Sequence, residues 1–248
     1  MHRDSLRPFT ARLQAVRAVV FDFYGTLVLD DIVVPAVWQH LNALGYASSH
    51  ELQRMFEPDA FDGSLTPHFH GDPGHDAWCR ENWRQLVALS GVPDPEVDGV
   101  LDTVLHAQEQ YSARLAPAAL ELLKLLRGRG FKLGLCSNWE SPIKPLLDKL
   151  GLSPSLFDAI TISAEIGARK PHLAMFHDIC NKLQARPSQV MFVGDNWQSD
   201  IAGALRAGLF PVWLTHARPT KRLTHLVPEF DSLAAFSACA ASWPAVGD

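Results

Sequence analysis

Residues 18–29 read Ala-Val-Val-Phe-Asp-Phe-Tyr-Gly-Thr-Leu-Val-Leu. The apolar run Ala18–Phe21 is too short for a helix and rich in β-branched residues, the signature of a strand buried on both faces. A carboxylate, Asp22, stands where that strand ends, and Gly25-Thr26 supplies the turn that must follow. In open α/β sheets ligands bind beyond the carboxyl ends of the strands, so Asp22 is placed for chemistry. A turn or capping aspartate would look the same in isolation, and the decision rests on what the other strands deliver.

Outward from this stretch the texture changes twice. From about residue 31 to residue 115 the apolar residues fall at helical spacing, as in Val33-Val34-Val37-Trp38, Leu41-Leu44 and Val97-Val100-Leu101-Val104-Leu105, and strand-like runs are absent. This block reads as a small all-helical insert. After Pro117 strands and helices alternate. Helix is expected over 118–129, 141–150, 171–183, 199–207 and 232–241. Strand is expected over 132–136, 159–162, 190–193 and 210–214. That rhythm predicts a parallel sheet with helices on both faces. The domains are then a catalytic core of residues 1–30 and 116–248 and a helical insert of residues 31–115; residues 1–16 read as a partly helical leader without chemistry.

Bulk properties bound the function. The chain has 248 residues, 47% of them hydrophobic and 20% charged, ordinary for a water-soluble protein of one core with a modest insert. A net charge of −5 lacks the basic stripe of a nucleic-acid binder. No apolar stretch is long enough to span a bilayer, and the first residues lack the apolar core of a secretory signal. Cys79, Cys136, Cys180 and Cys239 are scattered, which argues against a disulfide framework or a zinc site. A cytoplasmic protein is expected. Monomer and homodimer stay equally open.

Four strands finish in polar residues: Asp22 after the first, Ser137-Asn138 after the second, Lys170-Pro171 beyond the third, and Gly194-Asp195-Asn196 with Asp200 after the fourth. One crevice should receive them all. A nucleophilic carboxylate, a hydroxyl, an ammonium and two further acids form a working set for phosphoryl transfer, in which carboxylate oxygens suit Mg²⁺ and the lysine and hydroxyl grip phosphoryl oxygens.

In these motifs and their order the chain resembles the haloacid dehalogenase-like hydrolase superfamily: Asp22-Phe23-Tyr24-Gly25-Thr26, Ser137-Asn138, Lys170-Pro171 and Gly194-Asp195-Asn196-Trp197-Gln198-Ser199-Asp200. The resemblance implies a Rossmann-like core with a helical cap at residues 31–115; the stretch between the second and third motifs is too short for another kind of cap. It implies that Asp22 attacks the substrate to form an aspartyl intermediate, which water then hydrolyses. It further implies Mg²⁺ held by Asp22, the backbone carbonyl of Tyr24, Asp195 and Asp200. Thr26, Ser137 and the Asn138 amide would contact a small phosphorylated substrate, and Lys170 would offset the charge of the acids.

One position departs from the pattern. Family phosphatases carry a second aspartate two residues after the nucleophile, which protonates the leaving alkoxide; here that position is Tyr24. A phenol, with pKa about 10, is a poor acid at neutral pH. The L-2-haloacid dehalogenases share this tyrosine, work without metal, and attack carbon, so that halide leaves without a proton. Against that branch, the chain keeps both Asp195 and Asp200, has Phe176 where the branch has tyrosine, and offers only Arg54, in no recognisable pattern, as a halide-binding arginine. A catalytically weak binding or regulatory protein on the same fold is the third alternative. Within the insert, Pro67–Asp76 is dense in histidine and acid and reads as a bent, solvated loop able to supply an acid, with His68, His70 and His75 as its histidines. Trp38, Trp78 and Trp83 read as packing residues of the insert, while Trp139 and Trp197 flank the catalytic loops.

Overall fold

The computed structural model describes residues 12–32, 37–46, 80–81, 84–85, 87–109, 112–139, 143–218 and 227–247. The histidine-rich stretch 67–76, Arg54, Trp78, Trp83 and the side chain of Trp38 lie outside the described residues. Among the described residues no helix is long and apolar enough to cross a membrane.

The first strand, β1 (Ala18–Phe21), is buried at every position. Its odd and even residues serve opposite faces. Val19 and Phe21 join an apolar cluster with Leu133, Leu135, Met191 and Val193 on one side of the sheet. Ala18 and Val20 join Cys136, Val190 and Phe192 on the other. Burial of both faces is why the run is continuously apolar instead of alternating.

After β1 the chain forms β2 (Val28–Ile32) and α1 (Val37–Ala43), then α2 (Val97–Glu109) and β3 (Ser112–Leu115). Strand runs had not been expected between residues 31 and 115, and here the structure corrects the sequence reading. Strands β2 and β3 pair antiparallel, Val28 opposite Leu115 and Ile32 opposite Ser112, with an irregularity between Asp30 and Ile32. Asp30-Asp31 and Arg114 interrupt the apolar pattern there, so neither run announces itself. The helices between them have a core of their own: Leu41, Val87 and Val92 with Val97, Leu101 and Val104. The last three share one face of α2 at steps of four and three, as helical burial requires. Its ion pairs, Arg80–Asp102 and Arg84–Asp98, are solvent-exposed and screened, so they add little to stability.

The remaining elements are α3 (Ala119–Gly128), β4 (Lys132–Ser137), α4 (Lys144–Lys149), β5 (Ala159–Ile162), α5 (Ser163–Ile166), α6 (Leu173–Lys182) and β6 (Val190–Gly194). A π-helical turn, Trp197–Ala202, runs into α7 (Gly203–Arg206), followed by β7 (Phe210–Leu214), β8 (Glu229–Phe230) and α8 (Leu233–Ala240). The six-stranded sheet has the order β5-β4-β1-β6-β7-β8. Every pair in it is parallel. This is the α/β, Rossmann-like architecture with helices on both faces. Helix α3 covers one face with Ala119, Leu122, Leu123 and Leu126, together with Phe236 of α8. Helix α6 covers the other with Met175, Phe176, Ile179 and Cys180.

Strand order reverses at β1. The chain passes to β4 and β5 on one side of it, then returns to β6, β7 and β8 on the other. Helices and loops diverge beyond this point and leave a crevice at the carboxyl end of β1, flanked by the ends of β4 and β6.

Leu126 is fully buried under the sheet, whereas Leu205 on α7 is 43% exposed. Leu126→Ala is expected to lower unfolding stability by about 2–5 kcal/mol, and Leu205→Ala by less than about 0.5 kcal/mol. Urea unfolding of the two variants beside the unchanged chain checks this; equal losses would mean that the sheet face under α3 is not a packed core.

Candidate active site

Phe21 is the last residue of β1, and Asp22 follows with its amide bonded to the Val193 carbonyl at 2.9 Å. The chain then turns at once. The Phe23 carbonyl accepts from the amides of Leu27 (2.9 Å) and Val28 (3.0 Å), and the Gly25 amide donates to the Val28 carbonyl at 2.8 Å. Gly25 sits at φ +81°, and a Cβ there would lie 2.5 Å from Cγ of Asp195. Only glycine provides both the backbone conformation and the room for that carboxylate.

Lys170 comes in from the loop after β5. Its Nζ donates to Asp22 Oδ1 at 2.5 Å and to Asp200 Oδ1 at 2.8 Å. Asp22, Lys170 and Asp200 retain only 6%, 3% and 1% of their exposure, so this is a buried acid–ammonium–acid bridge. The main chain at Lys170 is clamped by Asn138, whose Nδ2 donates to the Lys170 carbonyl (2.9 Å) and whose Oδ1 accepts from the Lys170 amide (2.6 Å). The second motif therefore holds the third in place through an amide side chain that imitates a strand partner. Helix α5 steadies the same loop: Ser163 Oγ donates to the Trp139 carbonyl at 2.9 Å.

Asp200 lies on the π-helical turn, where a plain α-helix over 199–207 had been expected. Asn196 Oδ1 accepts from the amides of Gln198 and Ser199, both at 3.0 Å, and opens the turn. At its far end a Cβ on Gly203 would lie 2.6 Å from the Phe176 ring. The wide turn carries Asp200 inward, where its Oδ2 accepts from the Asn196 amide (3.0 Å) and its Oδ1 from Ser199 Oγ (3.1 Å). Such π turns are frequent at functional sites.

One ligand oxygen each from Asp22, Asp195 and Asp200 lies within 4.8 Å of the others. Burial pushes the Asp22 carboxyl up to about 7; Lys170 pulls it down, while Asp200 and Asp195 push it further up. Burial and the charge of Asp200 raise Asp195 to about 6, against the pull of Lys170 and Arg218. Burial alone would lower the Lys170 ammonium, but Asp200 and Asp22 more than offset it and hold its pKa above the ordinary lysine value. Three carboxylates around one ammonium leave the site short of positive charge. Their hard oxygen donors, all within reach of one centre, suit a small divalent cation such as Mg²⁺.

The structure thus brings together Asp22, Lys170, Asp195 and Asp200, with Ser137 buried at the end of β4 beside β1. Tyr24 is half-buried, and its ring stacks on Trp139 with centroids 4.9 Å apart and planes 14° apart. Thr26 follows Gly25 in the turn after β1. It is fully buried, and its hydroxyl has no hydrogen-bond partner among the described residues. Phe176, at the position of the dehalogenase tyrosine, is core: it is fully buried and packs on Phe192 with centroids 5.3 Å apart. Trp197 meets Trp213 of β7 edge-on at 4.8 Å.

Strand β7 adds residues that the sequence reading passed over. Trp213 Nε1 donates to the Asp195 carbonyl at 2.9 Å. His216, two residues past the end of β7, places Nε2 2.7 Å from the Gly25 carbonyl and 3.9 Å from Asp195 Oδ2. The rule that flagged the other strand ends would have reached His216 had it been carried to the fifth strand.

A family model described as haloacid dehalogenase-like hydrolase matches residues 16–208. An (S)-2-haloacid dehalogenase from Pseudomonas sp. is 31% identical over 194 residues, which is 77% of this chain and 81% of that protein. A glyceraldehyde 3-phosphate phosphatase from Methanopyrus kandleri is 31% identical over 133 residues, 51% of this chain and 54% of that protein. The chain spans about half the length of several curated relatives, 62%, 54% and 44% in three cases. Among solved structures, a predicted phosphoglycolate phosphatase from Haemophilus somnus superposes with a TM-score of 0.59 at 21% identity, covering 91% of this chain and 98% of that one.

The raised Asp22 carboxyl has a consequence for stability. Its value of about 7 in the folded protein exceeds the 3.8 of an unperturbed aspartate. Protonation therefore stabilises the folded state fully below about pH 4, and that contribution is lost as pH rises through about 7. Asn at this position resembles the protonated form. In EDTA, the stability of Asp22→Asn relative to the unchanged chain should grow by on the order of 2 kcal/mol between pH 5 and pH 8. Urea unfolding at both pH values measures it, and a constant difference would mean that Asp22 keeps an ordinary carboxylate pKa.

Proposed function

The chain belongs to the haloacid dehalogenase-like hydrolase family, and from that premise we propose that it is a Mg²⁺-dependent phosphatase acting on a small phosphorylated metabolite through an aspartyl-phosphate at Asp22. The observation that carries this reading is the cluster of Asp22, Asp195 and Asp200. An enzyme that displaces halide from carbon without metal has no use for three ionised acids in one pocket.

In this reading a carboxylate oxygen of Asp22 attacks phosphorus, the bond from phosphorus to the leaving oxygen breaks, and water hydrolyses the acyl phosphate to return the free carboxylate. Splitting the displacement in two gives two easier steps. Ser137 and the Asn138 amide hold phosphoryl oxygens. Lys170 keeps the nucleophile oriented and balances part of its charge. Asp22, the Tyr24 carbonyl, Asp195 and Asp200 would hold Mg²⁺, which when bound supplies the positive charge that the acids and a phosphoryl group share. The insert of residues 31–115, its helices joined to the core through the β2–β3 pair, acts as the cap that selects the substrate.

Tyr24 shapes the choice of substrate. With a phenol in place of the carboxylic acid, leaving groups that need no proton are favoured: acyl phosphates and anhydrides over alkyl esters. A second reading, hydrolysis of a 2-haloacid through an aspartyl ester, is favoured by the same tyrosine and by the similarity to the Pseudomonas dehalogenase.

The two readings separate in one set of assays. With Mg²⁺ the protein is expected to release phosphate from acetyl phosphate and p-nitrophenyl phosphate, with activity roughly 10³-fold lower or absent in Asp22→Asn. Tyr24→Asp should raise turnover of alkyl phosphate esters, by up to about 10²-fold. Halide release from 2-chloropropionate in EDTA, with no phosphate release in Mg²⁺, would move the assignment to dehalogenation. Neither activity would leave a binding protein on this fold.

A further inference from the structure

The loop after β7 carries a residue that no part of the proposed chemistry uses. His216 has φ +52° and Ala217 φ +57°, two successive non-glycine residues in the left-handed region. That backbone costs roughly 1 kcal/mol or more per residue and persists only where surrounding contacts hold it. The contacts are visible. The Thr215 amide donates to the Phe230 carbonyl at 2.9 Å, and the Arg218 amide closes the turn onto the Thr215 carbonyl at 3.0 Å. The result is that the imidazole reaches across β6 to the turn that follows β1.

A carbonyl oxygen only accepts, so the 2.7 Å contact requires that His216 Nε2 carries the hydrogen and donates it to Gly25. This bond fixes the Gly25–Thr26 peptide. The peptide on the other side, Tyr24–Gly25, is already fixed by the Gly25 amide bonded to the Val28 carbonyl. Its N–H and C=O point in opposite directions, so that bond also sets the heading of the Tyr24 carbonyl. With both flanking peptides held, Gly25 cannot leave φ +81°, the conformation that lets the Asp195 carboxylate lie against its Cα.

We propose that His216 is a positioning residue of the cation site, holding the Gly25 turn so that the Tyr24 carbonyl, Asp22 and Asp195 stay at one centre. The inference rests on the Mg²⁺ reading above and adds a group from a fifth strand end. Beside it, Trp213 of the same strand fixes Asp195 through its main-chain carbonyl. Strand β7 thus braces the site on the side opposite Lys170.

The test uses the full chain and MgCl₂ alone, titrated by isothermal calorimetry with tryptophan fluorescence in parallel. His216→Ala is expected to weaken Mg²⁺ binding by roughly tenfold or more, the usual size of an outer-shell effect. His216→Gln, whose amide can still donate to the Gly25 carbonyl, should recover most of the affinity. Should the alanine variant fail to fold by circular dichroism, His216→Asn replaces it with the same expected loss, since asparagine tolerates the left-handed backbone but its shorter amide falls short of the carbonyl. With saturating Mg²⁺ the KM for acetyl phosphate should stay within about twofold, because the residue acts on the cation site and not on the substrate. A folded His216→Ala that binds Mg²⁺ as the unchanged chain does, or a His216→Gln as weak as alanine, overturns the proposal. If the unchanged chain itself takes up no Mg²⁺, the phosphatase reading falls and this inference with it.

Discussion

Lys170 Nζ touches Asp22 and Asp200 at once, in a place with almost no access to water. Buried ions are unfavourable unless paired and hydrogen-bonded, and losing one partner of such a set is far worse than never having built it. The surrounding structure meets that condition in detail. Asn138 fixes the lysine's backbone, Ser199 Oγ shares Asp200 Oδ1 with the lysine, and the Asn196 amide donates to Oδ2. Four loops that share no sequence neighbourhood are thereby tied to one lysine, two of its partners through the ammonium and one through its backbone. The bridge fixes the Asp22 carboxylate as a by-product of satisfying its own electrostatics.

Such a bridge can exist only where strand ends converge, and the sheet order provides the place. β1 lies between β4 and β6, with Phe21 in register with Leu135 on one side and Val193 on the other. The residues that follow each of those strands are therefore neighbours in space before any side chain is chosen. The apolar faces above and below the sheet hold this register, because a slip of one residue would turn Val19 and Phe21 into the opposite layer. Packing sets where the acids stand; the acids in turn make the pocket electrostatically expensive.

What could be read from the amino-acid sequence follows from the same physics. Strands β1, β5 and β7 are legible to the residue, since burial leaves a short, largely apolar run, broken in β5 only by Thr161, with a polar residue after it. The site acids were legible because each follows such a run. Strands β2 and β3 were not: Asp30 and Asp31 break the pattern, and the partner lies more than eighty positions away. The two-residue β8 carries too little pattern to stand out. The π turn under Asp200 is set by Asn196 and by the contact of Gly203 with Phe176, tertiary facts that helical spacing does not contain. Asn138 was expected to serve through its amide N–H, and its side chain turns back onto Lys170, a role visible only in three dimensions. His216 stands two residues past the end of β7, where the strand-end rule reaches it, but it belongs to none of the four motifs that drew attention to the other strand ends.

The charge of the pocket bears on which chemistry the fold performs here, since fold alone leaves that open. Three carboxylates and one ammonium sum to −2 when all are ionised. Like charges within 4.8 Å repel by roughly 3 kcal/mol or more even at an effective dielectric of about 20. A haloacid and a phosphorylated metabolite are both anions, and each would add to that load. Burial and the neighbouring acids raise the carboxyls of both Asp22 and Asp195, so protonation would relieve the load, but a protonated Asp22 would be no nucleophile. The pocket cannot lower its charge with protons and attack with the same residue. Asp22, Asp195 and Asp200 could hold a divalent cation, whose charge would let Asp22 stay ionised and offset the other two acids and the substrate. Asp195 and Asp200 would therefore burden a metal-free dehalogenation and serve a cation-assisted phosphoryl transfer, which is the ground for the reading proposed above. Tyr24, which suits both reactions, weighs less than these two acids, which suit one.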